Sequence, residues 1–278
     1  MRSRLLLVVG AVAVLMLVSG TAPVVAQTPL GYVAARGQTV TPAFEGWYIN
    51  PDGTRTLSFG YYNRNREEIL EIPLGSDNFI EPAQFDGVQP TRFDGNRHWG
   101  VFGIIIPGDY TGPVAWTLKN RGKTFMIPAN LKTDWALDAL LGEASGNMAP
   151  ELAPAEMGPW IAGPGGLKMD PVETKAWTAT QFTVWARDDG HGGGSAYGGG
   201  RTTPVTLTWF KHSGPGDVTF SEKSGRIDVE GGSMATMATF TEPGEYIIRV
   251  RANDSSGVSG AGHSQCCWTN GFVRVTVN

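Results

Sequence analysis

The sequence predicts an all-β fold, with two β-sandwich domains in tandem after an N-terminal signal peptide. Short runs alternate between apolar and polar residues, and turn residues separate them at short intervals, as in β-sandwiches. The periodicity of amphipathic helices is nearly absent after the N-terminus. The 278 residues include 38 glycines, which suits a chain with many turns.

The first 26 residues have the pattern of a secretory signal peptide. Arg2 and Arg4 form a charged start, residues 5–18 form a short apolar core, and compact residues precede a cut at Gln27. An uncleaved anchor is the alternative, and it is the one predicted route to a membrane. No second apolar stretch is long enough to span a bilayer. We therefore expect a secreted, periplasmic or cell-surface protein.

The charge of the chain excludes one class of partner. The formal net charge is −4, and no block of like charge occurs. A protein that binds nucleic acid by electrostatics needs a basic patch or stripe. The sequence therefore predicts no nucleic-acid partner, and it has no polybasic patch for anionic lipids.

The length suits two domains after cleavage. The predicted segments are a signal peptide (1–26), a loose leader (27–41), a first sandwich (42–131), a short helix with a linker (132–148) and a second sandwich (149–278).

In the first domain, a turn at residues 50–53 joins two strands into a hairpin. Residues 98–106 are apolar on both faces, which predicts a central strand. Residues 75–96 are aperiodic and predict a long loop. After this domain, residues 132–141 are the one plausible helix, with Gly142 placed to end it.

Four runs of the second domain alternate strictly, so one face of each strand should enter the core. The predicted inward residues are Phe182, Val184 and Ala186; Val205, Leu207 and Trp209; Tyr246, Ile248, Val250 and Ala252; and Val273, Val275 and Val277. With shorter runs and an edge strand at residues 170–177, seven strands result.

Several motifs of residues 150–278 resemble PKD-like modules, which are immunoglobulin-like sandwiches. The motifs are Leu-Thr-Trp at 207–209, Ser-Gly-Pro-Gly at 213–216, Val-Thr-Phe at 218–220, Pro-Gly-Glu-Tyr at 243–246 and Val-Arg-Val-Thr-Val at 273–277. The resemblance implies two sheets with strands A to G. Such a fold hosts many unrelated functions, so it implies no activity.

Two aromatic residues fit this architecture independently of the resemblance. Tyr246 stands two residues after Gly244, which matches a tyrosine corner, and Trp209 matches the core tryptophan of strand C. No disulfide can join strands B and F here. We therefore expect Val184 or Ala186 and Ile248 to pack in its place.

The two longest loops of the second domain should emerge at the same end of the sandwich. They are the B–C loop (188–203) and the F–G loop (253–270). Long loops on a rigid scaffold are frequent binding sites, although both could simply be flexible. The predicted binding residues are His191, Tyr197, His263, Cys266, Cys267 and Trp268.

Four oxygen-bearing residues belong to these two loops. Asp188, Asp189, Asn253 and Asp254 could together hold calcium, which prefers oxygen ligands. The alternative is that they cap strand ends through local turns.

The protein has two cysteines, and they are adjacent: Cys266 and Cys267. An exported protein meets an oxidising compartment, so the options are a strained vicinal disulfide, an interchain pair or buried thiols. We favour the vicinal ring. A zinc set with His191 and His263 is a weaker alternative, because adjacent cysteines rarely both bind one ion.

No catalytic motif is complete. The chain lacks a G-x-S-x-G elbow, and its glycine-rich tract lacks the lysine of a phosphate-binding loop. The leading hypothesis is a non-catalytic protein that binds a protein or glycan through the two loops. The alternatives are a hydrolase or accessory subunit with a site in the interdomain cleft beside residues 75–96, and a structural spacer of the cell surface.

Overall fold

A computed structural model describes residues 34–138, 146–191, 205–228, 230–258 and 267–278. Both halves are β-sandwiches whose strands pair antiparallel except for one parallel pair in the second, between residues 167–174 and 268–277. This confirms the prediction of an all-β protein with tandem immunoglobulin-like domains. The predicted signal peptide lies outside the described residues. Within the described ranges, no helix has the length and apolar character needed to cross a membrane.

The first sandwich contains eight strands. They are β1 (Val40–Ile49), β2 (Arg55–Asn63), β3 (Leu70–Glu71), β4 (Asn78–Glu81), β5 (Arg92–Phe93), β6 (Asn96–Ile106), β7 (Ala115–Asn120) and β8 (Lys123–Pro128). The sheets have the orders β1-β2-β6 and β4-β7-β8, with β3 and β5 as a small separate pair. Aromatic rings from both main sheets fill the core, where Phe59 stacks on Phe102 and Trp116 meets both edge-on.

The predicted hairpin between β1 and β2 is confirmed. Ile49 pairs with Arg55, and the amide of Asn50 donates to the carbonyl of Thr54. Gly53 has a φ of +83°, a conformation that glycine adopts without steric cost. The strand itself starts at Val40, so its first residues belong to the segment predicted as a loose leader.

Two predictions for this region are wrong. Residues 75–96 are not one long loop, since they contain β4, a 3-10 turn at Ala83–Phe85 and β5. Residues 132–141 do not form an α-helix in their described part, which has a 3-10 turn at Thr133–Trp135. There, Ala136 bridges to Trp47 of β1. Tertiary pairing with an existing strand outweighs a weak helical preference.

The described residues of the second sandwich form nine strands. They are β9 (Glu151–Ala153), β10 (Leu167–Thr174), β11 (Thr180–Arg187), β12 (Val205–Ser213), β13 (Val218–Phe220), β14 (Ser224–Ile227), β15 (Gly232–Phe240), β16 (Gly244–Asn253) and β17 (Trp268–Val277). One sheet has the order β10-β17-β16-β12-β14, and the other has the order β13-β15-β11-β9. In strand-letter terms, β11, β12, β16 and β17 are B, C, F and G.

The alternation read from the sequence defines the core of the second sandwich. Every residue of the four inward-facing sets is buried, including Trp209 and Ile248 at 0 % exposure. Val184 and Ala186 are also fully buried, so apolar packing occupies the region where antibody domains place a disulfide.

Tyr246 forms the predicted tyrosine corner. Its hydroxyl donates to the carbonyl of Glu242 at 2.8 Å and accepts from the amide of Gly216 at 2.9 Å. One phenol therefore ties the turn before β16 to the turn after β12.

Replacing Tyr246 with Phe should lower the free energy of unfolding by about 1–2 kcal/mol, because two backbone groups lose their partner. Urea unfolding would measure this. Tyr62→Phe is the control, since its hydroxyl makes no hydrogen bond with the described residues and its loss should cost little. Equal stabilities of the two variants would contradict the assigned role.

The outer face of the sheet that contains β17 packs against the first sandwich. Phe272 of β17 is part of the first sandwich's core cluster. Trp268 is fully buried, and its indole N–H donates to the carbonyl of Gly100 at 3.1 Å. The side-chain amide of Asn270 donates to the same carbonyl at 2.8 Å. Residues 34–278 accordingly form one compact unit.

The position of Trp268 corrects the sequence-based prediction. It was predicted in the exposed F–G loop, but it is the first residue of β17 and lies between the two sandwiches. Gly100 makes this possible: its φ is +46°, and a Cβ there would lie 2.1 Å from a carbon of the indole ring. The F–G loop therefore ends before Trp268.

Replacing Trp268 with Ala should cost about 3–5 kcal/mol of stability, the usual range for truncating a buried tryptophan. Trp177→Ala is a matched control, because that side chain is 72 % exposed. Chemical denaturation of both variants would check this. A loss of stability no larger than that of the control would contradict the interface role.

Candidate functional site

The end of the second sandwich from which the B–C and F–G loops leave is the candidate site. The loop pole, as we call it, consists of residues 188–191 after β11 and residues 254–258 after β16. The segment before β9 lies across it: the side-chain amide of Asn147 donates to Asp254 at 2.8 Å, and the amide of Met148 donates to Asp189 at 3.0 Å. This segment therefore holds the bases of both loops together.

Three carboxylates lie close enough at the loop pole to affect one another. Burial, followed by the nearby charges of Asp189 and Asp254, raises the pKa of Asp188 to about 7. Burial also raises the pKa of Asp254, although hydrogen bonds from Ser256 and Asn147 oppose the rise. The Oδ1 atom of Asp188 is buried and has no hydrogen-bond partner among the described residues. Negative charge is thus concentrated here and only partly compensated.

His191 is the most exposed predicted binding residue that the structure describes. Its Nδ1 lies 3.2 Å from a carboxylate oxygen of Asp189, and its side chain is 71 % exposed. Its backbone amide donates to Asp189, and the amide of Gly190 donates to Asp188. These are the local turns that sequence reasoning offered as the alternative to a metal site.

The predicted calcium site has its four residues in the same region. Asn253, however, directs its side-chain amide to the carbonyl of Asp254 at 2.9 Å. Within the described part of the chain, no group of three His, Cys, Asp or Glu side chains is placed to hold a metal ion. The calcium site stays a prediction.

The other predicted binding residues have different positions. Tyr197, His263 and Cys266 lie outside the described residues. Cys267 is fully buried and disulfide-bonded, and Cys266 is the one other cysteine in the sequence. The sulfur of Cys267 lies 3.7 Å from the carbonyl of Asn147. A disulfide sulfur is not a thiolate, so Cys267 in this state does not contribute to the zinc set that was the weaker alternative.

A cleft between the sandwiches corresponds to the rival hypothesis. It has a volume of about 400 Å³, and the apolar side chains of Leu74 and Ile247 contribute to its lining. Gly87 and Thr91, from the segment predicted as a long loop, and Arg274 of β17 also line it.

One acidic residue that lines this cleft, Glu71, belongs to a network of ion pairs. Glu71 accepts from Lys211 at 3.1 Å and from Arg92 at 3.4 Å, and Arg92 also reaches Asp217 at 3.5 Å. Burial raises the pKa of Glu71, and Lys211 and Arg92 oppose the rise. The network joins β3 and β5 to β12, so its carboxylates serve the domain junction. Sequence reasoning missed Lys211, which is buried next to a register irregularity of β12.

Comparisons with known proteins identify no family for this chain. No family model matches it, and no curated protein matches it. Among solved structures, the D00-D0 domain of intimin is 11 % identical, with 86 % of this chain and 100 % of that chain covered and a TM-score of 0.26. A protein of unknown function from Porphyromonas gingivalis W83 is 10 % identical, with the same coverage and a TM-score of 0.25. Likenesses this weak carry no argument about function.

The pKa of Asp188 predicts a pH-dependent stability. The native carboxyl keeps its proton up to about pH 7, whereas the unfolded carboxyl ionises near 3.8. Stability from this group is therefore full below the unfolded pKa and is lost as the pH rises through the native one.

Asp188→Asn should consequently be more stable than wild type at pH 8, and the difference should vanish below pH 4. We expect about 1 kcal/mol, because the carboxyl is only half-buried and solvent screens it. Thermal unfolding across this pH range measures the effect, with the exposed Asp170→Asn as control. A difference independent of pH would contradict the assignment.

Proposed function

We propose that the protein is an exported, non-catalytic binding protein that recognises a protein or glycan of the cell envelope through the loop pole. The supporting observation is that the segment before β9 forms hydrogen bonds to the bases of both loops, through Asn147 and Met148. A binding surface gains affinity when its loops need little ordering on association. At the loop pole, these hydrogen bonds already order the described bases of the two longest loops.

Export is part of the proposal. The signal-like first 26 residues support it, as does the disulfide at Cys267, because disulfides persist mainly in oxidising compartments. The PKD-like resemblance of the second sandwich is also retained as a proposal. Contact with a membrane would require that the signal-like segment remain uncleaved.

The recognition surface differs from the one first predicted. Trp268 does not belong to this surface, because its side chain is buried between the sandwiches. Cys267 is also buried. His191 is retained, together with Tyr197, His263 and Cys266 from the rest of the two loops, and Asp189 is added because it contacts His191. The calcium site predicted at Asp188, Asp189, Asn253 and Asp254 is kept as a hypothesis that the capture experiment tests, because no described group of three such side chains is placed to hold a metal ion.

Affinity capture of envelope proteins and glycans tests the proposal. The bait is wild type, and the loop variant combines His191→Ala, Tyr197→Ala and His263→Ala. We expect wild type to recover a specific partner, and the loop variant to lose most of it. Each capture is run with calcium and with a chelator, so that dependence on calcium is measured in the same experiment.

Trp177→Ala is the matched control, because it removes an exposed aromatic ring from the turn before β11, at the opposite end of that strand from the B–C loop. It should recover the partner as well as wild type does. Equal recovery by all three baits would remove the loop pole from consideration. Circular dichroism of each bait verifies that the variants are folded.

A further inference from the structure

Two arginines lie side by side in the seam between the sandwiches. Arg249 and Arg251 are on the outward face of β16, and both guanidinium groups lie over the ring of Phe210, at 4.4 Å and 5.3 Å from its centroid. Arg249 is only 3 % exposed. Two positive charges thus lie against one aromatic ring in a place where little water can screen them.

The partners of these arginines are neutral. Arg249 donates to the carbonyl of Val101 at 3.1 Å and to the side-chain oxygen of Asn270 at 3.4 Å. Arg251 forms no hydrogen bond with the described residues, and neither arginine forms an ion pair with a described carboxylate. The Nε atoms of both are buried without a partner in the described chain.

The surrounding titratable groups compensate the charge of the two arginines only in part. Burial and both arginines lower the pKa of His98 to about 4, so this ring is neutral near pH 7. Burial raises the pKa of Tyr61, which keeps its phenol neutral. The charge of Asp94 favours the charged form of Arg249, but the Asp94 carboxylate already accepts from Arg92 at 3.0 Å. Burial and the neighbouring charge of Arg251 lower the pKa of Arg249 to about 9, still above neutral pH.

We propose that this seam is an anion site in which Arg251, supported by Arg249, binds a carboxylate, phosphate or sulfate group. Buried charges are normally paired, and a guanidinium binds such groups through its planar fork of N–H donors. Arg251 is only partly buried, and its terminal nitrogens are not among the buried atoms that lack a partner, so they remain in contact with solvent. The anion can be a small ion or an acidic group on a glycan.

Calorimetry and thermal unfolding with sodium sulfate, phosphate and glucuronate test this inference at constant ionic strength. Wild type should bind each anion saturably, and its Tm should rise with anion concentration, because a ligand of the native state stabilises it. In Arg251→Gln the affinity should fall about tenfold or more, since a charge-assisted hydrogen-bond pair is lost.

The matched control is Arg226→Gln, which removes the same charge from an exposed position of β14. Sulfate and phosphate stabilise most proteins by exclusion from the surface, so the decisive quantity is the response of Arg251→Gln relative to Arg226→Gln. Arg251→Lys retains the charge and should keep part of the response. Equal responses of the Gln variants, or no binding by wild type, would overturn the proposal.

A polymer experiment distinguishes the sources of the anionic group. If polygalacturonate binds more tightly than glucuronate and neutral dextran does not bind, the anionic group belongs to an acidic glycan. Binding of the small anions alone would identify a free-ion site. Because Arg251 lies outside the loop pole, failure here leaves the capture experiment with the loop variant unaffected.

Discussion

The contact between Gly100 and Trp268 is the constraint on which the relation of the two sandwiches depends. Gly100 lies in a register irregularity of β6, and its missing side chain leaves room for the indole ring. Its carbonyl then accepts hydrogen bonds from Trp268 and Asn270 together. Phe272, two residues further along β17, enters the core of the first sandwich. A sheet face that would normally meet water therefore becomes an internal layer.

This layer also explains the arrangement of polar groups around it. Strand β16 alternates, so while Ile248 and Val250 enter the core of the second sandwich, Arg249 and Arg251 must point at the first. The guanidinium group of Arg249 donates to carbonyl oxygens and lies over an aromatic ring, and it forms no ion pair with a described carboxylate. At the cleft, by contrast, the ammonium group of Lys211 forms an ion pair with the carboxylate of Glu71. The junction thus combines a region of ion pairs with a region in which the arginines form no ion pair with a described carboxylate.

The sequence allowed the second sandwich to be predicted closely, because strict alternation and the tyrosine corner are local signals. It did not reveal the interface. Trp268, Asn270 and Phe272 occupy the face of β17 opposite Val273 and Val275, and a single strand gives no indication of whether that face meets solvent or another domain. The same limit applies to residues 75–96, where two- and four-residue strands are too short to show a period.

The sequence predicted the candidate site only in part. Topology alone placed Asp188, Asp189 and Asp254 at one end, since strands B and F finish there. The contribution of Asn147 and Met148 had no sequence signal, because it comes from a distant segment that crosses between the loops. That crossing crowds three carboxylates in a partly dehydrated space. Under the proposed function, a partner at the loop pole would meet loop bases that these hydrogen bonds already hold, so little ordering would be needed on association.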